Sequence, residues 1–152
     1  MNVLVVTCSM FGNTELVAGA IADALRETAS VRIDSLKRLA ESDLSRLDLV
    51  VMGCPTHRMN LPEAIQPILA ALPRRFLRGT ATAAFDTSYR MSSFLARFTA
   101  AKKLDRKLRK LGGRRIITPE TFFVTGREGL LDDGELERAA AWAKVIINRI
   151  EG

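Results

Sequence analysis

The residues best placed to do chemistry lie in the run Thr7-Cys-Ser-Met-Phe-Gly-Asn-Thr14, which follows an apolar segment and leads straight into a helical pattern. A helix start exposes unpaired N–H groups at the positive end of its dipole, which suits a phosphate. Ser9 and Thr14 add hydroxyl donors, Gly12 permits close approach to the backbone, and Asn13 can fix the turn through its side chain. A well-capped helix without a ligand is the alternative that this loop alone leaves open. Other phosphate chemistries fail on spacing. The ten glycines form neither a dinucleotide pattern nor a Walker loop with its Lys, and no Lys or Arg stands in the loop. Six positions after Cys8, where a low-molecular-weight phosphatase carries Arg, stands Thr14. The apolar runs ending in Val6-Thr7 and Met52-Gly53 lack the acidic cluster of a response-regulator receiver.

The elements that must position this loop follow from the hydrophobic pattern. With 152 residues, 47% hydrophobic and 26% charged, the chain reads as one domain spanning 1–152. Asn2–Thr7 and Leu47–Gly53 are short, β-branched-rich apolar runs that suit strands buried on both faces. Val31–Asp34 is a shorter strand and Thr80–Phe85 a small-residue one. A last strand, broken around Pro119, spans Ile116, Ile117 and Phe122 to Val124. Leu16, Val17, Ala20, Ile21, Ala24 and Leu25 recur at helical spacing. Asn60 offers an N-cap with Glu63 three residues on and Pro62 in the first turn, while Pro67 should shorten or kink that helix before Pro73 ends it. A basic helix is expected from about 93 to 111, stopped by Gly112-Gly113. The final helix begins near Asp133, with a stripe of Leu136, Ala140, Ala143, Ile147 and Ile150 and with Trp142 as packing at its edge. Strands alternating with helices predict an α/β doubly wound fold, five parallel strands covered on both faces. Ligands in such sheets lie beyond the carboxyl ends of the strands, where strand order reverses.

At those ends the chain resembles a known family. Ser9-Met-Phe-Gly-Asn-Thr14 is similar to the phosphate loop of the flavodoxins, which bind flavin mononucleotide (FMN) through hydroxyls and amides. The resemblance makes Ser9, Met10, Phe11, Gly12, Asn13 and Thr14 the phosphate-binding residues, although Phe11 replaces a more usual hydroxyl residue. Gly53-Cys-Pro-Thr-His-Arg-Met-Asn60 resembles the family loop covering the inner face of the isoalloxazine ring. It implies flavin contacts from Pro55, Thr56, His57, Arg58 and Asn60, with Thr56 and Asn60 on the polar edge and His57 where relatives place a stacking aromatic. Phe85-Asp-Thr-Ser-Tyr-Arg90 resembles the third loop, giving Asp86, Thr87, Ser88 and Tyr89, whose ring would cover the outer face. The last third, with Gly126, Gly129-Leu130 and Arg138-Ala-Ala-Ala-Trp-Ala143, looks like a short-chain prokaryotic branch. The implied fold is a flavodoxin-like three-layer sandwich with strand order 2-1-3-4-5, and the implied function is electron transfer through FMN.

Charge and cysteines narrow the surroundings. The formal charge is +6, which favours an acidic redox partner protein, with a small-molecule electron acceptor as the alternative. Lys102, Lys103, Arg106, Lys107, Arg109, Lys110, Arg114 and Arg115 make a dense basic run, but no base-stacking aromatics interleave with it, which disfavours nucleic acid. Arg58 and Arg90 flank the implied ring and should make the potential of the fully reduced flavin less negative than is usual in the family. Two cysteines, Cys8 and Cys54, exclude a disulfide framework and favour a cytoplasmic setting; they fall at neighbouring strand ends, as two small buried residues or as a redox-active pair. No basic leader precedes the first apolar run, and no run has the length of a membrane span. No catalytic acid, base or metal set declares itself. Two rivals to the carrier stay open: an FMN-dependent oxidoreductase acting on a quinone, porphyrinogen or similar acceptor, and a flavin-free basic module binding an acidic protein or nucleic acid.

Overall fold

The computed structural model describes residues 1–8, 12–41, 44–57, 59–126 and 129–152, with Ala40 and Glu41 lacking described side chains. A parallel sheet runs in the order β2-β1-β3-β4-β5, with β1 Asn2–Thr7, β2 Ser30–Ser35, β3 Leu49–Pro55, β4 Ala81–Tyr89 and β5 Arg114–Arg115. A sixth strand, β6 Glu120–Val124, also pairs with β4. β5 and β6 are the two halves of the expected broken strand. Thr82 faces Arg115 and Phe85 faces Glu120, so residues 116–119 lie opposite only 83–84. Pro119, which has no N–H to give a ladder, sits in this interruption.

Alternating side chains of the central strands feed two cores. Val3, Val5, Leu49, Val51, Ala83 and Phe85 pack toward α1 (Asn13–Leu25) and α4 (Glu135–Glu151). Leu4, Val6, Val50, Met52, Cys54 and Ala84 pack toward the opposite layer, formed by a 3₁₀ turn at Leu36–Glu41, α2 (Gln66–Ala70) and α3 (Ala100–Lys110). Both faces of β3 are buried, which explains its unbroken apolar sequence.

Several boundaries differ from expectation for identifiable reasons. Asn60 does not cap a helix: its Oδ1 accepts from the next amide, Leu61 N, at 2.8 Å, and α2 begins only at Gln66. Pro67 falls in the first turn of that short helix, a position that needs no donated hydrogen bond. The basic helix starts at Ala100 because Thr99 is extended (ψ 156°), and residues 95–98 form a separate 3₁₀ turn. On α4 the buried stripe is Ala139, Trp142, Ala143, Ile146 and Ile147, leaving Leu136 at 40% exposure; Leu16 of α1 is likewise exposed. Trp142 is packing, as expected, meeting Phe85 and Phe122 edge-to-face at 6.2 and 5.9 Å.

The β6 edge is closed by α4. Glu135 Oε2 accepts from Phe123 N at 2.7 Å, and Arg138 binds Glu135 (2.7 Å), Glu120 (3.1 Å) and the Thr121 carbonyl. The Arg138 guanidinium holds the Glu135 carboxyl below the usual carboxylate range. Among the described residues, no helix is long and apolar enough to cross a membrane.

Gly53 is required where β3 passes β4. It faces Phe85 across the ladder, and a Cβ there would fall within the Phe85 ring, which is itself fully buried. Gly53→Ala should destabilise the fold by about 1–3 kcal/mol or more, since the ring has no free volume to enter. Urea unfolding monitored by circular dichroism measures this; an unchanged midpoint would contradict the packing described.

Candidate functional site

Three loops leave the carboxyl ends of β1, β3 and β4, the neighbouring strands beside the order reversal. Ser9, Met10 and Phe11 of the first loop lie outside the described residues, as does Arg58 of the second. Gly12 precedes α1 in a left-handed conformation (φ 85°), which L side chains rarely adopt. Asn13 Nδ2 donates to the Gly129 carbonyl at 2.6 Å, so this side chain braces the loop against the turn after β6. Thr14 is buried, and its hydroxyl shares a 2.9 Å hydrogen bond with that of Thr87.

The second and third loops are bound to each other around one carboxylate. Asp86, at the end of β4, has no exposed surface. Its Oδ2 accepts from Thr56 Oγ1 and from Ala101 N at 3.2 Å, while Thr56 Oγ1 accepts from Ala100 N at 2.9 Å. These contacts satisfy the first amides of α3, which has no local side-chain cap. Asp86 Oδ1 is buried with no hydrogen-bond partner of good geometry. Burial raises the Asp86 carboxyl above its ordinary range, opposed by the hydroxyls of Thr121 and Thr56 and by the amides of Ala101 and Ala100. Thr56 N also donates to the Thr87 carbonyl at 2.9 Å. The Thr56 side chain is therefore turned inward, where it joins loops.

His57 and Asn60 exchange backbone hydrogen bonds of 2.8 and 3.0 Å, forming a tight turn that carries the partly exposed His57 imidazole. Met59 in this turn has φ 62°, and its carbonyl accepts from Lys103 Nζ at 2.9 Å. Pro55, Thr87 and Ser88 are buried at the strand ends. Tyr89 is 46% exposed. It lines an open cleft of about 540 Å³ with Arg90, Val124, Thr125, Gly126 and Asp132. Arg90 pairs with Asp132 at 3.3 Å and stacks over Phe123 at 4.2 Å, so its charge is offset where the sequence had suggested a bare cation.

The arrangement fits FMN at both ends. The α1 start offers backbone amides with a left-handed glycine, and an open cleft presents an exposed aromatic ring for stacking. Sequence reasoning missed Asp132 and Lys103, because an ion pair and a carbonyl brace across loops leave no local spacing to read. Cys8 and Cys54, expected at neighbouring strand ends as two small buried residues or as a redox-active pair, form a disulfide, with Cα atoms 5.2 Å apart.

Comparisons with known proteins agree with this geometry. Residues 5–142 match the family model described as Flavodoxin. Among solved structures, oxidised flavodoxin 2 from Bacillus cereus superposes with a TM-score of 0.80 at 19% identity, covering 98% of this chain and 99% of that one. A short-chain flavodoxin associated with a non-canonical PDU bacterial microcompartment gives 0.76 at 17% identity, with 99% of each chain covered. Rubredoxin oxygen:oxidoreductase from Desulfovibrio gigas gives 0.72 at 18% identity, matching 99% of this chain but only 36% of that larger one. No curated protein sequence matches the chain. A parallel sheet in the order 2-1-3-4-5, its three strand-end loops hydrogen-bonded into one rim, and a family model spanning most of the chain place this protein in the flavodoxin family, which transfers electrons through FMN.

Proposed function

We propose that residues 1–152 act as one domain and that the protein is an electron carrier in the cytoplasm, with FMN held by the three loops described above. The observation that carries this reading is their mutual bonding: Thr14 to Thr87, Thr56 to Asp86 and Thr56 N to the Thr87 carbonyl. These bonds tie the described ends of the three loops together, which suits a site that must hold a planar group in one orientation.

In this reading the amides from Gly12 to Thr14, with the loop's Ser9, Met10 and Phe11, take the phosphate at the positive end of α1. Tyr89 covers the outer face of the ring. His57 and Asn60, on the turn after Pro55, serve its inner side, and Arg58 is assigned there from the sequence. Thr56, Asp86, Thr87 and Ser88 set the spacing between the two loops. Bound FMN supplies one- and two-electron redox chemistry. The chain contributes orientation, exclusion of water by Tyr89, and a charge balance set by Arg90 and Asp132.

The dense basic run extends along α3 from Lys102 and Lys103, beside the redox end, to Lys110, Arg114 and Arg115 at the opposite pole of the sheet. Leu77 N bonds the Leu111 carbonyl, and Arg114 and Arg115 pair with Ala81 and Thr82 at the start of β4. The nine residues of β4 separate that pole from Tyr89 by roughly 25–30 Å, several Debye lengths at physiological salt. The charges at that pole therefore do not tune the flavin, and a partner with an acidic surface would meet the redox end through Arg90 and Lys102, both exposed.

Four outcomes test the reading. Added FMN should bind one per chain with quenched flavin fluorescence, and Tyr89→Ala should weaken binding about tenfold; absence of binding by the wild type defeats the proposal. Steady oxidation of a reduced nicotinamide by the purified protein alone would favour the oxidoreductase instead. In potentiometric titration Asp132→Asn should make the potential of the reduced flavin less negative and Arg90→Gln more negative, each by about tens of millivolts, as an exposed pair worth under about 1 kcal/mol allows. The Asp86 carboxyl, at 3.8 when unperturbed, ionises higher in the folded chain. Its favourable contribution is thus complete below about 3.8 and is lost as pH rises through the folded-state value. Thermal melts from pH 4 to 7 should show the wild type losing stability relative to Asp86→Asn as pH rises; a constant difference would refute that assignment.

A further inference from the structure

We propose that the Cys8–Cys54 disulfide is a thiol–disulfide exchange site that takes electrons from a small dithiol through Cys8. The pair sits one step beyond the parallel β1–β3 ladder, whose last register pairs Thr7 with Gly53. The two sulfurs are unequal in access. Cys54 has no exposed surface and belongs to the core with Val6, Met52 and Ile65, whereas Cys8 is partly exposed. Cys8 lines a cleft of about 290 Å³ with Glu15, Ser35, Lys37, Pro62 and Ile65. That volume is at the lower end of small-molecule sites, which suits a dithiol of a few carbons. Its wall carries one exposed cation, Lys37, and one exposed anion, Glu15, so access to Cys8 and not wall charge distinguishes the two sulfurs. Cys8 and Glu15 flank the phosphate loop Ser9–Thr14 in sequence, so this cleft borders the phosphate end of the proposed flavin site, while none of the β4 and β6 residues around Tyr89 lines it.

The reaction balances with the dithiol as sole reductant. Its thiolate attacks Cys8 Sγ, a new S–S bond forms there, the Cys8–Cys54 bond breaks, and Cys54 leaves with the bonding pair and takes up a proton. The second thiol of the reagent then closes on the first, releasing Cys8 as a thiol. In total the dithiol loses two electrons and two protons to the protein pair.

The test uses the full chain purified in air, alkylated with N-ethylmaleimide and read by mass spectrometry. Unreduced protein should take no adduct, even when unfolded in guanidinium. After native treatment with dithiothreitol and its removal, one adduct should appear at Cys8, with a second at Cys54 only on unfolding. Two adducts without reduction, first modification at Cys54, or reduction only after unfolding would each overturn the proposal. With Ellman's disulfide reagent, Cys54→Ser should react through Cys8, and Cys8→Ser should react about a hundredfold more slowly, since Cys54 must wait for local opening. Equal rates would overturn the assignment of Cys8. The adduct pattern is read on FMN-free protein, so its failure is distinguishable from failure of the flavin reading.

Discussion

Asp86 is the carboxylate on which the redox end of this fold depends. Its group is fully buried, and burying a carboxylate is unfavourable unless donors converge on it. Here the donors come from two different elements: the Thr56 hydroxyl from the loop after β3 and the Ala101 amide from the start of α3. The need for donors is mutual, because α3 brings first-turn amides with no side chain of its own to receive them. One acid thereby fixes how far β3's loop stands from β4 and where α3 begins. The Thr14–Thr87 hydroxyl pair extends the same connection to the first loop. A site at the carboxyl edge of a parallel sheet is always assembled from loops distant in sequence. In this chain the assembly is done by short polar side chains lying just beneath the surface.

How much of this was legible depended on whether a signal was local. The central strands announce themselves because both faces are buried, and the order of strands and helices followed from their alternation. The three strand-end loops were found by residue type and by family resemblance. Boundaries set by distant partners were not legible. Residues 93–99 have a composition that a helix would accept, yet α3 starts at Ala100, where Thr56 and Asp86 can reach its amides. Asn60 and Glu63 have the spacing of a capping box, but the Asn60 side chain closes on its neighbour's amide instead. Thr56 looked like a ligand-facing hydroxyl and is committed to the interior. The stripe on α4 was displaced by the aromatic contacts of Trp142, which no periodicity contains.

The charge reading was sharpened in a similar way. A net charge of +6 says little until its location is known. Part of it is bound internally: Asp105, nearly buried, meets Arg109 and Arg115 at 3.4 Å each, and Arg138 is consumed at the β6 edge. The exposed charge of α3 runs from Lys102 at the redox end to Lys110 at the pole where the strands begin. At the redox end Arg90 is offset by Asp132, while Lys103, held on a backbone carbonyl, and the exposed Lys102 keep their positive charge.

Trp142 is the chain's single tryptophan, and its place in the fold gives it an optical use. It is 7% exposed and wedged against Phe85 and Phe122, all on the α1–α4 side of the sheet. The opposite layer, with the disulfide, α2 and α3, contains no tryptophan and is spectroscopically silent in this respect. Intrinsic fluorescence therefore watches one layer of a two-sided protein, while circular dichroism watches the backbone of both. Whether the two signals change together on denaturation is then a direct reading of how tightly the sheet couples its two faces.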